Sequence, residues 1–181
     1  MPSCTFAEYI EQEKTEASRH EYVSGYKFEM PEISEEHHLI ATKIETLFAA
    51  KLREKSYQLY SFENPLWIEQ VAVCYYPDMM IIPTTQKTET PYKTNPNLII
   101  EIFSSRTQAT DRQEKFSNYQ AIPTLQEYIL ISEKEPKIEI YRKKEGYWRS
   151  QTLKETEDIY IQTLDLTISL EDIYQNSFID D

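Results

Sequence analysis

Two stretches constrain the fold most, "VCYYPDMMII" over residues 73–82 and "LIIEIF" over 98–103. Each is a nearly continuous apolar run of strand length, the pattern of a strand covered on both faces. Each also holds a single acid, Asp78 in the first and Glu101 in the second. Burying such a polar group costs on the order of ~2–7 kcal/mol unless a cation or strong donors compensate it. A fold that covers both strands must therefore bring compensation to both acids.

The rest of the chain supplies the covering layers. Thr5 and Glu8 fit a capping box, and Phe6, Tyr9 and Ile10 form a short apolar stripe, so the pattern predicts a first helix over about 5–17. "HEYVSGYKFEM" reads as a hairpin around Ser24-Gly25. From Ser34, an N-cap followed by Glu35 and Glu36, a helix runs to about residue 55, with Ile40, Ile44, Leu47, Phe48 and Leu52 on one face. Extended segments follow at 57–62, 66–71 and 73–82, then a proline-rich polar loop that leads into 98–103. Asp111 with Glu114 predicts a capped helix up to Pro123. "QEYILISE", "KIEIYRK" and "YWRSQTL" read as an antiparallel meander, and a strand pair with the short turn "LEDIYQN" closes the chain. The expectation is one mixed α/β domain over 1–181, a central sheet with helices packed on it and an antiparallel C-terminal extension.

Composition removes several function classes. With Gly25 and Gly146 as the only glycines, a Gly-rich phosphate loop cannot be built. Cys4 and Cys74 make no disulfide framework, no apolar run approaches a membrane span, and the N-terminus carries acids where a secretory signal carries bases. A reduced, cytoplasmic protein without membrane contact is the simplest expectation. The formal net charge of −12 argues against polyanion binding by the surface as a whole. Residues 137–154 nevertheless hold six Lys and Arg against two Glu, while 155–181 hold eight acids and no Lys or Arg.

Asp78 and Glu101 stand 23 residues apart, enough for a strand, a loop and a return. On neighbouring strands they would face one another, and two close carboxylates repel unless a divalent cation sits between them. Mg²⁺ suits one or two carboxylates with waters and phosphate oxygens completing the octahedron. Lys115, on the following helix, can orient a water or stabilise a phosphoryl transition state. Bland readings stand beside these. Asp78 also reads as a turn acid bonded to backbone, Lys115 as the ordinary i, i+4 partner of Asp111, and Glu21 as a surface hairpin residue. His20, His37 and His38 lack ligand spacing for zinc and suit structural or capping roles, and Cys74 suits a packed thiol.

The order helix, three strands with Pro77-Asp78, a strand with Glu101, helix, strand resembles the αβββαβ core of the PD-(D/E)xK nuclease superfamily. More narrowly, "HEYVSGYKFEM", "HHLIATKIETLFAAKL", "YYPDMMII", "NLIIEIFSSRT", "DRQEKFSNYQ" and "LQEYILIS" resemble the Uma-two family of restriction-endonuclease-like proteins, over about residues 5–170. The resemblance implies Asp78 and Glu101 as ligands of Mg²⁺ or Mn²⁺, Glu21 as an assisting acid, and hydrolysis of nucleic acid, with DNA ranked ahead of RNA and the choice between them left open. The lysine expected two residues after Glu101 is replaced by Phe103, and Lys115 in "DRQEK" matches a placement shifted to the helix. The proline of the family's "SPST" is absent from Ser104-Ser105-Arg106-Thr107.

Arg106, Arg112, Arg142, Lys143, Lys144 and Arg149 are the candidate phosphate contacts, with Tyr141, Tyr147 and Trp148 as stacking partners. An exposed hairpin with snorkelling side chains is the competing reading of that segment. A homodimer follows from the need to cut two strands. The alternatives to a metal-dependent endonuclease are a nuclease scaffold without turnover and an enzyme acting on a smaller phosphate-bearing substrate.

Overall fold

The computed structural model describes residues 3–86, 89–154, 157–175 and 177. Twelve strands among these residues form three sheets. The largest has the order β10-β9-β8-β7-β6-β3, built from Tyr147–Lys154, Lys137–Lys144, Glu127–Ser132, Leu98–Phe103, Met79–Pro83 and Tyr57–Ser61. Its β7–β8 pair is parallel and its other pairs are antiparallel. The second sheet has the order β2-β1-β5-β4, from Tyr26–Glu29, His20–Val23, Val73–Tyr75 and Leu66–Ile68. β11 (Asp158–Ile161) and β12 (Leu166–Ser169) make a separate antiparallel pair. The fold is thus mixed α/β with the expected C-terminal extension.

Helix α1, Phe6–Glu13, starts at the expected capping box: Thr5 and Glu8 exchange hydrogen bonds. Helix α2, Glu35–Leu52, starts at Ser34, whose hydroxyl accepts from the His37 N–H. Ile40, Ile44, Phe48 and Leu52 recur every four residues and bury one stripe of α2 against Met79, Ile81, Leu98, Ile100 and Ile102. The opposite face of the large sheet carries Met80, Ile82, Ile99 and Phe103, packed against Val73 and Tyr75 of the second sheet and against Tyr119, Ile122 and Leu125. Alternation along β7 therefore places Glu101 on the second face, between Ile99 and Phe103. The central strands are covered on both sides, as their composition requires. Helix α4, Leu170–Tyr174, closes the first core from the C-terminal side.

Two expectations need correction. Residues 73–82 are not one strand: β5 and β6 belong to different sheets, and Tyr76-Pro77-Asp78 turns the chain between them. Pro77 has no N–H for a ladder and restricts Tyr76, which ends the pairing at that point. Asp111 is not a helix cap either. The helix α3, over 108–119, begins earlier, and Asp111 lies inside it with φ −65° and ψ −42°. Its middle, Asp111–Lys115, is a π-helical turn. The turn before it closes without the absent proline, because Ser104 Oγ accepts from the N–H groups of Arg106 and Thr107 while Thr107 Oγ1 accepts from the Ser104 N–H. In the loop before β7, Lys87 and Thr88 lie outside the described residues. No described helix is long and apolar enough to cross a membrane.

Candidate active site

A cleft of about 630 Å³ opens at the C-terminal ends of β7 and β8. Glu21, His37, Asp78, Glu101, Asp111, Lys115 and Glu133 all line it, from β1, α2, the β5–β6 turn, β7, α3 and the end of β8. Lys115 is its electrostatic centre. The ammonium lies 3.1 Å from Glu101 Oε1, 3.2 Å from Glu21 Oε1 and 3.6 Å from Asp111 Oδ1. Burial opposes its charge, but Glu101, Glu21, Asp111 and Asp78 outweigh burial and hold its pKa well above the usual lysine value.

Glu101 is buried, 4 % exposed. Its Oε1 accepts from Lys115 and, at 2.7 Å, from the Tyr119 hydroxyl. Oε2 takes no hydrogen bond among the described residues. Burial raises the Glu101 pKa, Lys115 and Tyr119 pull it down, and the charges of Asp78 and Asp111 add to the rise, so the group is pushed up to about 8. Burial likewise raises Asp111 against the pull of Lys115. Three carboxylates around one ammonium leave a surplus of negative charge, which a retained proton on Glu101 relieves.

Asp78 has a different role in the architecture. One residue beyond the Met79–Ile100 pair, its Oδ2 accepts from the Ile102 N–H at 2.6 Å, extending the strand ladder through a side chain. Its Oδ1 meets His37 Nε2 at 2.8 Å. Glu133 Oε2 stands 3.9 Å from His37 Nδ1 and accepts from the Ser34 hydroxyl at 2.8 Å. Burial disfavours the charged imidazole, yet the Asp78 hydrogen bond, with the charges of Asp78, Glu133 and Glu101, raises its pKa above the usual histidine value.

The cleft therefore gathers all four residues singled out as Asp78, Glu101, Lys115 and Glu21, and adds His37, Asp111 and Glu133, while Tyr119 supports Glu101 from the core. His37 was legible in principle, because 37, 40, 44 and 48 continue one buried stripe of α2. Tyr119 is likewise one helical turn beyond Lys115. Glu133 had no signal of its own, being one acid after an apolar strand.

The candidate phosphate contacts are dispersed. Arg106 lines the cleft and donates to the Glu32 carbonyl. Arg112 stacks on Phe103 and makes a bidentate pair with Glu139. Arg142 is held by Glu127, Gln151 and the Tyr160 carbonyl. Lys143, Lys144 and Arg149 carry no ion pair among the described residues, but they lie beside the start of β8, because Arg142 pairs with Glu127. The cleft is at the other end of that strand, roughly 20 Å away. Tyr141 and Trp148 pack on Phe116, leaving Tyr147 exposed.

Among the described residues, Glu13, Glu16 and His20 have ligand atoms mutually within 4.8 Å. The Lys27 ammonium already bridges Glu16 and Glu13 there. At the cleft, Asp78 and Glu101 offer hard oxygen donors, a free Oε2 and a surplus of negative charge, which fits Mg²⁺ or Mn²⁺ with waters completing the shell.

The chain is similar to known proteins in sequence and in fold. Over 142 residues the chain is 30% identical to the uncharacterized protein sll1609 of Synechocystis sp., covering 77% of this chain and 80% of that one. It is 27% identical to slr1290 of the same organism over 178 residues, covering 97% and 93%. A crystal structure titled as a putative nuclease belonging to DUF820 from Anabaena variabilis superposes with a TM-score of 0.80 at 15% identity, over 97% of this chain and 99% of that one, which shows a shared fold. The model of the Uma2 family, described as "Putative restriction endonuclease", matches residues 6–172, and the chain belongs to that family.

Proposed function

We propose that the protein is a divalent-cation-dependent nuclease that hydrolyses phosphodiester bonds in nucleic acid, with DNA as the substrate, at the cleft around Lys115. The observation that carries this reading is the delivery of Lys115 from α3 to within 3.1 Å of Glu101. Phe103 occupies the strand position where a lysine is expected, and the helix restores the charge on the same side of the sheet. Asp78 and Glu101 would hold Mg²⁺ or Mn²⁺, which when bound supplies Lewis acidity toward a phosphoryl oxygen.

The chain's own groups do the remainder. His37 and the Ile102 N–H fix both oxygens of Asp78, so its carboxylate does not reorganise when substrate arrives. Tyr119 fixes Glu101 Oε1 and leaves Oε2 directed to other partners. Lys115 stays protonated and offers a positive charge to a phosphate oxygen that becomes more negative in the transition state. Glu21, 3.2 Å from the Lys115 ammonium, positions that charge and offers a carboxylate oxygen to a water in the cleft.

Plasmid and oligonucleotide cleavage in Mg²⁺ and Mn²⁺ tests the proposal with Asp78→Asn, Glu101→Gln and Lys115→Met, each checked by thermal melting. Cleavage by the wild type and a loss of at least about 100-fold in each folded variant is expected, the scale of removing one charge-stabilising group. A variant that keeps the wild-type rate overturns the assignment. A scaffold without turnover is the second reading, favoured by the closed ring of carboxylates around Lys115; it requires a folded wild type that cuts nothing with either cation.

A further inference from the structure

We infer that the cleft-side face of the β1–β2 hairpin carries, on its edge strand β2, a stacking platform for an unpaired nucleobase, so that the substrate is single-stranded or locally unpaired nucleic acid. The inference rests on the nuclease reading for the phosphate and on separate residues for the base.

The register places the platform. Glu21 pairs with Phe28 and Val23 with Tyr26 across the hairpin, so these four side chains share one face. That face is the cleft side, since Glu21 contacts Lys115 and Val23 packs with the second core. Tyr22 belongs to the other face, in a cluster with Tyr9 and Cys74. Directly opposed residues hold their Cβ atoms about 4.5–5.5 Å apart, so Phe28 adjoins the acid that touches the central lysine. Phe28 is 54 % exposed and Tyr26 49 % exposed, and neither ring stacks on another among the described residues. Ile33, 49 % exposed, lines the cleft on the segment that follows β2. Isolated exposed apolar side chains are ordinary, but two aromatics on one strand face beside a reactive centre form a surface.

Charge decides what occupies it. The cleft is lined by Glu21, Glu32, Asp78, Glu101, Asp111 and Glu133 against Lys115, Arg106 and His37. A duplex gripped through its backbone needs a track of Lys and Arg, and Lys143, Lys144 and Arg149 lie at the far end of the sheet, which leaves Arg106 and Lys115 as the Lys and Arg lining the cleft. Affinity must then come from the bases. Stacking on an aromatic ring supplies it, and only an unpaired base presents its face.

The test is binding of a single-stranded DNA oligonucleotide carrying 2-aminopurine, read by fluorescence with Ca²⁺ in place of Mg²⁺. Phe28→Ala is expected to weaken binding by about 5- to 100-fold, Tyr26→Ala less, and Phe28→Trp to retain it. A fully paired duplex of the same sequence is expected to compete poorly. Phe28 is exposed, so the variant should melt like the wild type, and the melt is recorded beside each titration. Unchanged binding in Phe28→Ala, no binding to the wild type, or equal competition by the duplex overturns the platform. A wild type that cleaves while Phe28→Ala binds and cleaves identically removes the platform and leaves the nuclease standing. Phe28-dependent binding without cleavage in Mg²⁺ or Mn²⁺ does the reverse.

Discussion

Glu101 and Glu127 are the same acid in neighbouring, fully buried strands, and they differ in what compensates them. Glu127 accepts from Arg142 and from the N–H groups of Gln162 and Thr163, a set of donors with no competing carboxylate. Glu101 shares its one ammonium with two other acids. Its pKa of about 8 against an ordinary 4.5 means that the folded chain holds a proton that the unfolded chain has lost across that interval. The folded state binds more protons there, so this group makes stability fall as pH rises from about 4.5 to about 8. Glu101→Gln removes the contribution: its Tm is expected to vary less with pH in this window and to exceed the wild type at pH 8 by roughly 2–6 °C. Calorimetric scans of both proteins at matched pH check this; parallel pH profiles would show that Glu101 ionises normally.

At the scale of elements, α3 is both the crossover between two parallel strands and the carrier of the cleft's central charge. Removing that charge leaves buried acids unpaired, which typically costs about 3–5 kcal/mol. Lys115→Met should therefore destabilise the protein by about that amount at pH 8 and by less at pH 5, where the acids can take up protons. Combining it with Glu101→Gln should recover part of the loss, and urea unfolding of the four proteins closes the cycle. Additive losses would mean that the two side chains do not interact. The same helix marks where the amino-acid pattern stops being legible. The caps at Thr5 and Ser34 and the apolar stripe of α2 are local features, and they appear in the fold where their spacing puts them. Asp111 also has a local cap pattern with Glu114, but Ser104 and Thr107 close the preceding turn themselves, so the helix starts early and carries Asp111 inward. The break at Pro77 was visible as a proline, whereas the assignment of its two flanking strands to different sheets depends on contacts far along the chain. For the site, acids within apolar runs were conspicuous. His37 was legible as part of the buried stripe of α2, but its pairing with Asp78 and the nearness of Glu133 depend on the tertiary approach of α2 to the end of β8.

For the molecule as a whole, the cleft is an acidic pole whose neutralisation is linked to protonation. A divalent cation at Asp78 and Glu101 needs the carboxylate form of Glu101, so binding at pH 7 should release protons and become tighter as pH rises toward about 8. Titration calorimetry of Mn²⁺ in two buffers of different ionisation enthalpy reads the proton count; identical heats would exclude the linkage. A saturating cation, at 100 times its Kd, should also stabilise the fold by about 2.7 kcal/mol. The parallel pairing of β7 and β8 carries a last consequence. A crossover between parallel strands lays its helix on one side of the sheet, and here that side is the one toward which Glu101 and Phe103 point. Position 103 on the strand and position 115 on the helix are thus two addresses for one charge. On the proposed nuclease reading, a chain bearing lysine at both positions would hold two interchangeable sources of that charge on one side of the sheet.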